Sequence, residues 1–305
     1  MTSAASAESS AAPATARAEL PWTDLSLVLM AVIWGANFAV MRLGAAQFPP
    51  LAFNALRLAT GTLVLLGMAF ARGAAWPPRA TVRRLMLYGV VGNGLYQVLF
   101  IEALMRTSIA NVAIMIASTP VWLALIGQAM GTDKLSTRAW WGIALSFAGI
   151  GLVLFAGASA RGGQHSWTGD LLALCGTASW CAYTLLLRPL TRDTDPIPLH
   201  ALTLVGGSVP LLLVASGELA RTSWSTVSPG GWAALAYGAL GAIVVAYLLW
   251  YRGVRLIGPT RTAMYANLQP IVALVVAALV LGEVPSAAQG VGCACTVAGL
   301  LLTRS

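Results

Sequence analysis

The sequence predicts an all-α integral membrane protein: ten transmembrane helices in two inverted five-helix repeats around a central cavity. Three observations carry that expectation. The first is composition. The 305 residues are 58% hydrophobic and 9% charged, with a mean hydropathy of +0.78. Soluble domains carry roughly 25% charged residues, so this chain cannot cover a water-facing surface. The second is the recurrence of apolar stretches of about 20 residues, the length that crosses about 30 Å of hydrocarbon. The third is internal repetition. At an offset of 150 residues, Ala113, Pro120, Gly142, Ala144, Ala148 and Gly149 fall on Ala263, Pro270, Gly292, Ala294, Ala298 and Gly299, and acidic Asp133 falls on Glu283. An offset of 146 lays Trp34, Ala36 and Arg42 on Trp180, Ala182 and Arg188. A period this long marks duplicated domains rather than a solenoid.

The apolar stretches run 24–44, 50–70, 82–104, 108–129, 138–157, 168–188, 197–216, 230–251, 260–281 and 286–303. Residues 1–23 are rich in Ala and Ser and poor in large apolar side chains, which predicts a disordered cytoplasmic arm. The first apolar run exceeds the roughly 7 to 15 residues of a cleaved signal's h-region, so it is expected to be retained. The halves are then 24–157 and 168–303, with five crossings each. An odd number of crossings forces the second half to insert upside down relative to the first, the architecture of an alternating-access transporter. The connections are too short for a soluble domain.

Lys and Arg set the orientation. Arg17, Arg72, Arg79, Arg83, Arg84, Lys134, Arg138, Arg188, Arg192, Arg252, Arg255, Arg261 and Arg304 fall on the side holding both termini, and only Arg42, Arg106, Arg161 and Arg221 on the other. Both termini are therefore expected to be cytoplasmic. The net charge of +8 does not mark a nucleic-acid partner, because the basic residues form no stripe with interleaved aromatics. No metal or other cofactor is expected. Cys175, Cys181, Cys293 and Cys295 lie within spans and suit neither a disulfide nor a zinc site, and His165 and His200 are isolated. Gly89, Gly92 and Gly94 are followed by no Lys-Ser or Lys-Thr pair, which argues against a phosphate-cradling loop. An enzyme would need clustered acids or histidines. Asp193 and Asp195 beside Arg192 are the one candidate, and they read as a solvated loop.

Polar side chains in hydrocarbon are costly unless they face water, a solute or another helix, so polar stripes mark the interior. Trp34, Asn37, Phe38 and Met41 share one face of the first helix by i, i+3, i+4, i+7 spacing. Asn93, Tyr96, Gln97 and Phe100 do the same on the third, and Asn111, Met115, Ser118 and Thr119 on the fourth. The second half supplies Trp180, Tyr183 and Thr184, then Tyr247, Trp250 and Tyr251, then Tyr265 and Gln269. Such a lining suits a solute with an aromatic or apolar body and a small zwitterionic head, such as a neutral amino acid. Drugs, nucleosides and sugars remain alternatives. The competing view is that the rings form interfacial belts and the small polar groups only join helices. For Trp22, Trp76, Trp140, Trp141, Trp167, Trp224 and Trp232, near helix ends, the belt reading is preferred.

Ionisable groups are scarce inside the spans, and the pathway walls are expected to be uncharged. Arg57 must snorkel outward or pair with a substrate carboxylate, helix-end carbonyls or Glu102. Glu102 lies four residues before Arg106, so an i, i+4 ion pair explains it; a proton-coupling role is the alternative. Pro120 and Pro270 occupy matching points and should kink their helices, as hinges or as fixed shape. Ala144 with Ala148, and Ala294 with Ala298, have small-xxx-small spacing and read as packing surfaces.

The pattern W-G-x-x-F (Trp34, Gly35, Phe38), the pattern P-x-x-x-N-A-x-R (Pro50, Asn54, Ala55, Arg57), Pro120, and the counterparts Trp180, Tyr183 and Pro270 add a family signal. With the duplication, they make the chain from about Leu25 to Leu302 resemble the EamA family of the drug/metabolite transporter superfamily. It is most similar to bacterial exporters of aromatic and other neutral amino acids. The resemblance implies an inner-membrane monomer, a small-molecule substrate and membrane lipid as the other partner. It also implies a cavity lined by helices 1, 3, 4, 6, 8 and 9, with helices 5 and 10 packed outside. The second half carries Leu204 or Val205 where the counterpart of Arg57 would stand, so that arginine is used once.

Overall fold

The computed structural model describes residues 14–129, 131, 136–159, 166–191, 193–257, 262, 265, 266 and 268–304. Its helices are α1 (Ala14–Ala45), α2 (Pro50–Ala71), α3 (Arg79–Arg106), α4 (Ile109–Ala129), α5 (Thr137–Ser159), α6 (Trp167–Leu187), α7 (Pro196–Arg221), α8 (Pro229–Ile257), α9 (Gln269–Leu281) and α10 (Ala287–Arg304). Among the described residues, seven helices are long and apolar enough to cross a membrane, namely α1 to α4 and α6 to α8, and α9 is a shorter apolar helix. Because α1 begins at Ala14, the last part of the arm expected to be disordered is helical. Residues 1–13 lie outside the described residues, as do Asp133, Lys134, Arg161, His165, Arg192, Arg261 and Ala263.

Local chemistry explains the helix starts. Pro stands in the first turn of α2, α7 and α8, where its missing N–H would have no helical partner anyway. Side chains of Ser108, Asp195 and Ser228 accept from the backbone N–H of Asn111, Ile197 and Gly231 and cap α4, α7 and α8. Gly282 ends α9 with φ +69°, a left-handed conformation that glycine adopts without steric cost.

Four helices are irregular, at points that match between the halves. In α3 residues Val90–Leu95, and in α8 residues Tyr237–Val245, wind as π-helix. There the Tyr96 N–H donates to Val91 O and the Ala246 N–H to Gly241 O, five residues back. α4 breaks at Ser118, and the regular part of α9 follows a turn at Leu268, an offset of 150 residues. Pro120 explains the first break. It has no N–H to offer the carbonyl of Ile116, and the Thr119 hydroxyl donates to that carbonyl instead, at 2.6 Å. Pro270 stands in the first turn of α9, where it does no harm.

Sequence-equivalent helices pack on each other and run antiparallel. Between α2 and α7, the Ala52 N–H donates to Glu218 Oε2 at 3.0 Å, and farther along Thr62 Oγ1 meets Ser208 Oγ at 3.3 Å. Between α5 and α10, Gly149 lies against Gly292 and Gly299 against Gly142, with the Ser146 hydroxyl donating to Thr296 O at 3.2 Å between them. Lipid is as apolar as a leucine side chain, so close approach and van der Waals contact hold such a pair together. A Cβ on Gly149 would come 2.6 Å from Gly292 O. This corrects the expected packing surface. Ala144, Ala148, Ala294 and Ala298 are exposed, about 200° around their helices from Gly142 and Gly292 at about 100° per residue. The outer surface carries large apolar side chains such as Leu63, Leu213 and Leu279, with Trp22, Trp76, Trp140, Trp141, Trp167, Trp224 and Trp232 exposed near helix ends, as a lipid-facing surface requires.

Gly299→Leu should lower stability by about 1–3 kcal/mol through overpacking. Ala298→Leu should stay within about 0.5 kcal/mol. Apparent melting temperatures of the two variants in detergent check the assignment, and equal shifts would place the contact face wrongly.

Candidate functional site

Between α1, α3, α4, α6, α8 and the start of α9 lies a cavity of about 1130 Å³. α2 adds Arg57 to its wall and α7 adds Leu199, while none of its lining residues comes from α5 or α10. It reaches the end of the bundle that carries Arg188, Asp193, Asp195 and Arg255, where it opens. Asp195 also caps α7 there, so the loop that read as merely solvated forms part of the mouth.

The wall is mostly aromatic, and its two halves mirror each other. Trp34 on α1 packs edge-on against Tyr247 on α8 with ring centroids 5.1 Å apart, and Trp180 on α6 lies 5.2 Å from Tyr96 on α3. Each tryptophan thus meets a tyrosine that follows the π-helical stretch of the opposite half. Trp180 also lies 5.3 Å from Tyr183, and Phe38 meets Phe100 edge-on at 5.5 Å. Trp34 is fixed further by its indole N–H, which donates to Ala242 O at 2.9 Å. Edge-on and tilted ring pairs are favoured electrostatically.

Polar groups are few, and one is a cation. Arg57 is 2% exposed and borders the cavity. Its Nη2 donates to Asn54 Oδ1 at 2.8 Å and to Gln97 Oε1 at 2.6 Å, and Asn54 Nδ2 in turn donates to Gln97 O at 2.6 Å. The side chain crosses α8 over Gly238, where a Cβ would come 2.5 Å from Arg57 Cδ. Among the described residues no carboxylate pairs with it. The expectation of uncharged walls is therefore corrected: the spacing placed Arg57 inside a span but could not aim it. Asn37, Gln97 and Gln269 supply amides.

The opposite end is closed by a polar network. Arg42 at the end of α1 pairs with Glu283 beyond α9 and donates to the carbonyls of Leu104 and Thr107 at the end of α3. Glu283 Oε2 also accepts from the Ile109 N–H that opens α4, at 3.2 Å. Buried Asp170 at the start of α6 accepts from Thr107 Oγ1 at 2.8 Å and Asn111 Nδ2 at 3.1 Å, and Gln289 on α10 donates to Asn111 Oδ1 at 2.8 Å. Six helix ends, of α1, α3, α4, α6, α9 and α10, are tied together this way. Sequence reasoning used Arg42 as a repeat marker and in the orientation count and Glu283 as a repeat marker, and did not single out Asp170 or Gln289.

Of the residues expected to line a pathway, the cavity gathers Trp34, Asn37, Phe38, Tyr96, Gln97, Trp180, Tyr183, Tyr247 and Gln269, together with Pro270 and Arg57. Asn93, Met115, Ser118 and Tyr265 are not among its lining residues. Asn93 lies within the π-helical stretch, which breaks the i, i+3, i+4 phase, and it packs against Gly207. Met115 and Ser118 precede the α4 break and are fully buried, and α4 presents Ala113, Ile116 and Ala117 instead. Tyr265 precedes the turn at Leu268, and its hydroxyl donates to Asp24 Oδ1 at 2.5 Å. Of Pro120 only the backbone position in α4 is described. Glu102 pairs with Arg106 on the surface of α3 and does not border the cavity. His200, read as isolated, stacks on Tyr247 at 4.3 Å and puts Nε2 3.2 Å from Ile243 O. Among the described residues no group of three His, Cys, Asp or Glu could hold a metal.

Apolar spans around a ring-lined chamber, open at one end and closed at the other, define a multi-pass membrane transporter. The chain belongs to the EamA-like transporter family, whose model matches it twice, over residues 21–155 and 167–305. Among its relatives, "Uncharacterized transporter YyaM" of Bacillus subtilis is 26% identical, over 91% of this chain and 92% of the relative. An "Uncharacterized transporter" of Archaeoglobus fulgidus is 29% identical, over 93% and 97%. "Uncharacterized inner membrane transporter YedA" of Escherichia coli K12 is 27% identical, over 85% and 82%. A solved crystal structure superposes with a TM-score of 0.64 over 93% of this chain and 97% of its own, at 17% identity, a likeness of fold alone.

Because exposed i, i+4 ion pairs contribute about 0.3–0.5 kcal/mol, Glu102→Gln should keep the melting temperature within a degree or two and solute flux within about twofold. Flux through reconstituted vesicles checks this, and a collapse of transport would make Glu102 part of the machinery.

Proposed function

We propose that the protein exports neutral amino acids with aromatic or large apolar side chains across the bacterial cytoplasmic membrane by alternating access. In this reading ten helices cross the bilayer as two inverted five-helix halves, with both termini and the arginine-rich end in the cytoplasm. A monomer holds the whole pathway, and the cavity stands open to the cytoplasm.

The observation that carries the reading is the ring-lined chamber that opens at one end and is sealed at the other by Arg42, Glu283 and their partners. The inversion draws support from the antiparallel packing of equivalent helices, α2 on α7 and α5 on α10. The mirrored pairs Trp34–Tyr247 and Trp180–Tyr96 and the double match of the family model point the same way. Opening the sealed end means parting Arg42 from Glu283 and from two carbonyls, while the halves rock about the breaks in α4 and α9. Stacked rings take the apolar body of the solute, and the amides of Asn37, Gln97 and Gln269 take its head. The acids among the described lining residues, Asp193 and Asp195, lie at the mouth. The chamber itself then offers no carboxylate for a proton, and export down a gradient follows.

Vesicles containing purified protein should release preloaded labelled phenylalanine and leucine and retain labelled glucose and thymidine. Failure to release either amino acid sinks the substrate assignment.

Glu283→Gln should shift the equilibrium toward a periplasm-open form by roughly 1 kcal/mol, about fivefold in population. With the four native cysteines replaced, Phe38→Cys should then react several times faster with an impermeant thiol reagent applied from outside. An unchanged rate would show that the ion pair does not hold that end shut.

A further inference from the structure

The geometry points to Arg57 as the anchor for a carboxylate on the transported solute, so that the chamber selects organic acids and zwitterions with an aromatic or apolar body and rejects cations. This deepens the transport reading above and rests on it.

A guanidinium stays charged under all ordinary conditions, and a buried charge is tolerated only when it is paired or solvated. Arg57 has partial compensation only. Both protein bonds go through one nitrogen, Nη2, to the neutral amides Asn54 and Gln97. Nε is fully buried without a partner. Arg57 borders the cavity, and among the described residues no protein group bonds its Nη1, which is left to meet a solute. The two amides act as a brace. They hold the guanidinium across α8, over Gly238, and keep it from swinging out toward an interface. A side chain so positioned beside a cavity, 2% exposed and lacking a counter-ion, is completed by an anion that comes and goes.

The neighbouring walls restrict which anion. Gln97 and Tyr96 border the cavity beside it, and Trp34, Trp180 and Tyr247 continue the wall. A carboxylate on Nη1 therefore carries its body into a ring-lined space. A cationic solute finds like charge, and cation–π contact with the rings has to overcome it. Zwitterions fit because their carboxylate meets Arg57 while their ammonium meets ring faces.

Binding to the purified protein is read by the quench of its tryptophan fluorescence, using compounds that share one phenyl ring: 3-phenylpropionate, phenylalanine, phenylalaninamide, phenethylamine and 3-phenylpropanol. The two carboxylates should bind at least about tenfold more tightly than the amide and the amine, the size expected of one charge-assisted hydrogen bond. Arg57→Gln should erase that preference. Gln97→Glu tests the same point without removing the arginine, because it supplies an internal carboxylate and should weaken phenylpropionate binding about tenfold or more in a folded protein. Equal affinities across the panel, or a preference for acids that survives both variants, overturns the anchor and leaves the ring-lined chamber standing. No binding by any ring compound overturns the anchor and the transport reading together.

Discussion

Hydrocarbon leaves no polar group unattended, and that constraint shapes this bundle more than any pairwise contact. Some threonines inside a span turn back on their own helix, as Thr62 does to Leu58 O, Thr177 to Ala173 O and Thr296 to Gly292 O, while Ser146 and Ser179 donate to carbonyls of a neighbouring helix. The broken turn of α4 closes its open carbonyl with Thr119. Acids and arginines collect where helix ends meet, as Arg42, Glu283 and Asp170 do. Beside the cavity, Arg57 is a charge that the protein leaves only partly compensated.

Duplication supplies the frame within which that happens. α5 and α10 touch through glycines that the repeat duplicates, Gly142 as Gly292 and Gly149 as Gly299, and the contacts cross over, Gly142 to Gly299 and Gly149 to Gly292. They form an outer pair that takes no part in lining the cavity. α2 and α7 are a second such pair, closer to the centre. The irregular helices α3, α4, α8 and α9 all contribute to the cavity wall. The site thus draws on all four interrupted helices as well as on the regular α1 and α6, in keeping with the tendency of π-helical turns to occur where a protein does its work.

Much of this was legible in the order of residues. Hydropathy located the helices, because a span needs length and little else. The offset of 150 residues matched Pro120 with Pro270 near the breaks at Ser118 and Leu268, and the family resemblance implied the outer pair. The stripe of Trp34, Asn37 and Phe38 keeps to one face, and all three border the cavity, because α1 is unbroken there. Periodicity failed where the helix itself departs from 3.6 residues per turn: at Asn93 inside a widened turn, at Met115 and Ser118 before a break, and at Tyr265 before another. Ala144 and Ala148 satisfied a spacing rule that Gly142, Ser146 and Gly149 satisfied as well, and a single sequence does not say which face meets the neighbour. The seal was invisible for a different reason. Arg42 and Glu283 are 241 residues apart, and only the folded chain brings them together.

A scaffold with perfect two-fold symmetry would make its two facings mirror twins of equal energy. Arg57 breaks that degeneracy, since Leu204 or Val205 stands at its counterpart on α7. In the proposed cycle the same guanidinium stays with the chamber whichever mouth is open, yet it belongs to one half alone. If the protein works as proposed, this one unrepeated side chain makes the two facings unlike, and a passenger that meets it has a defined way round.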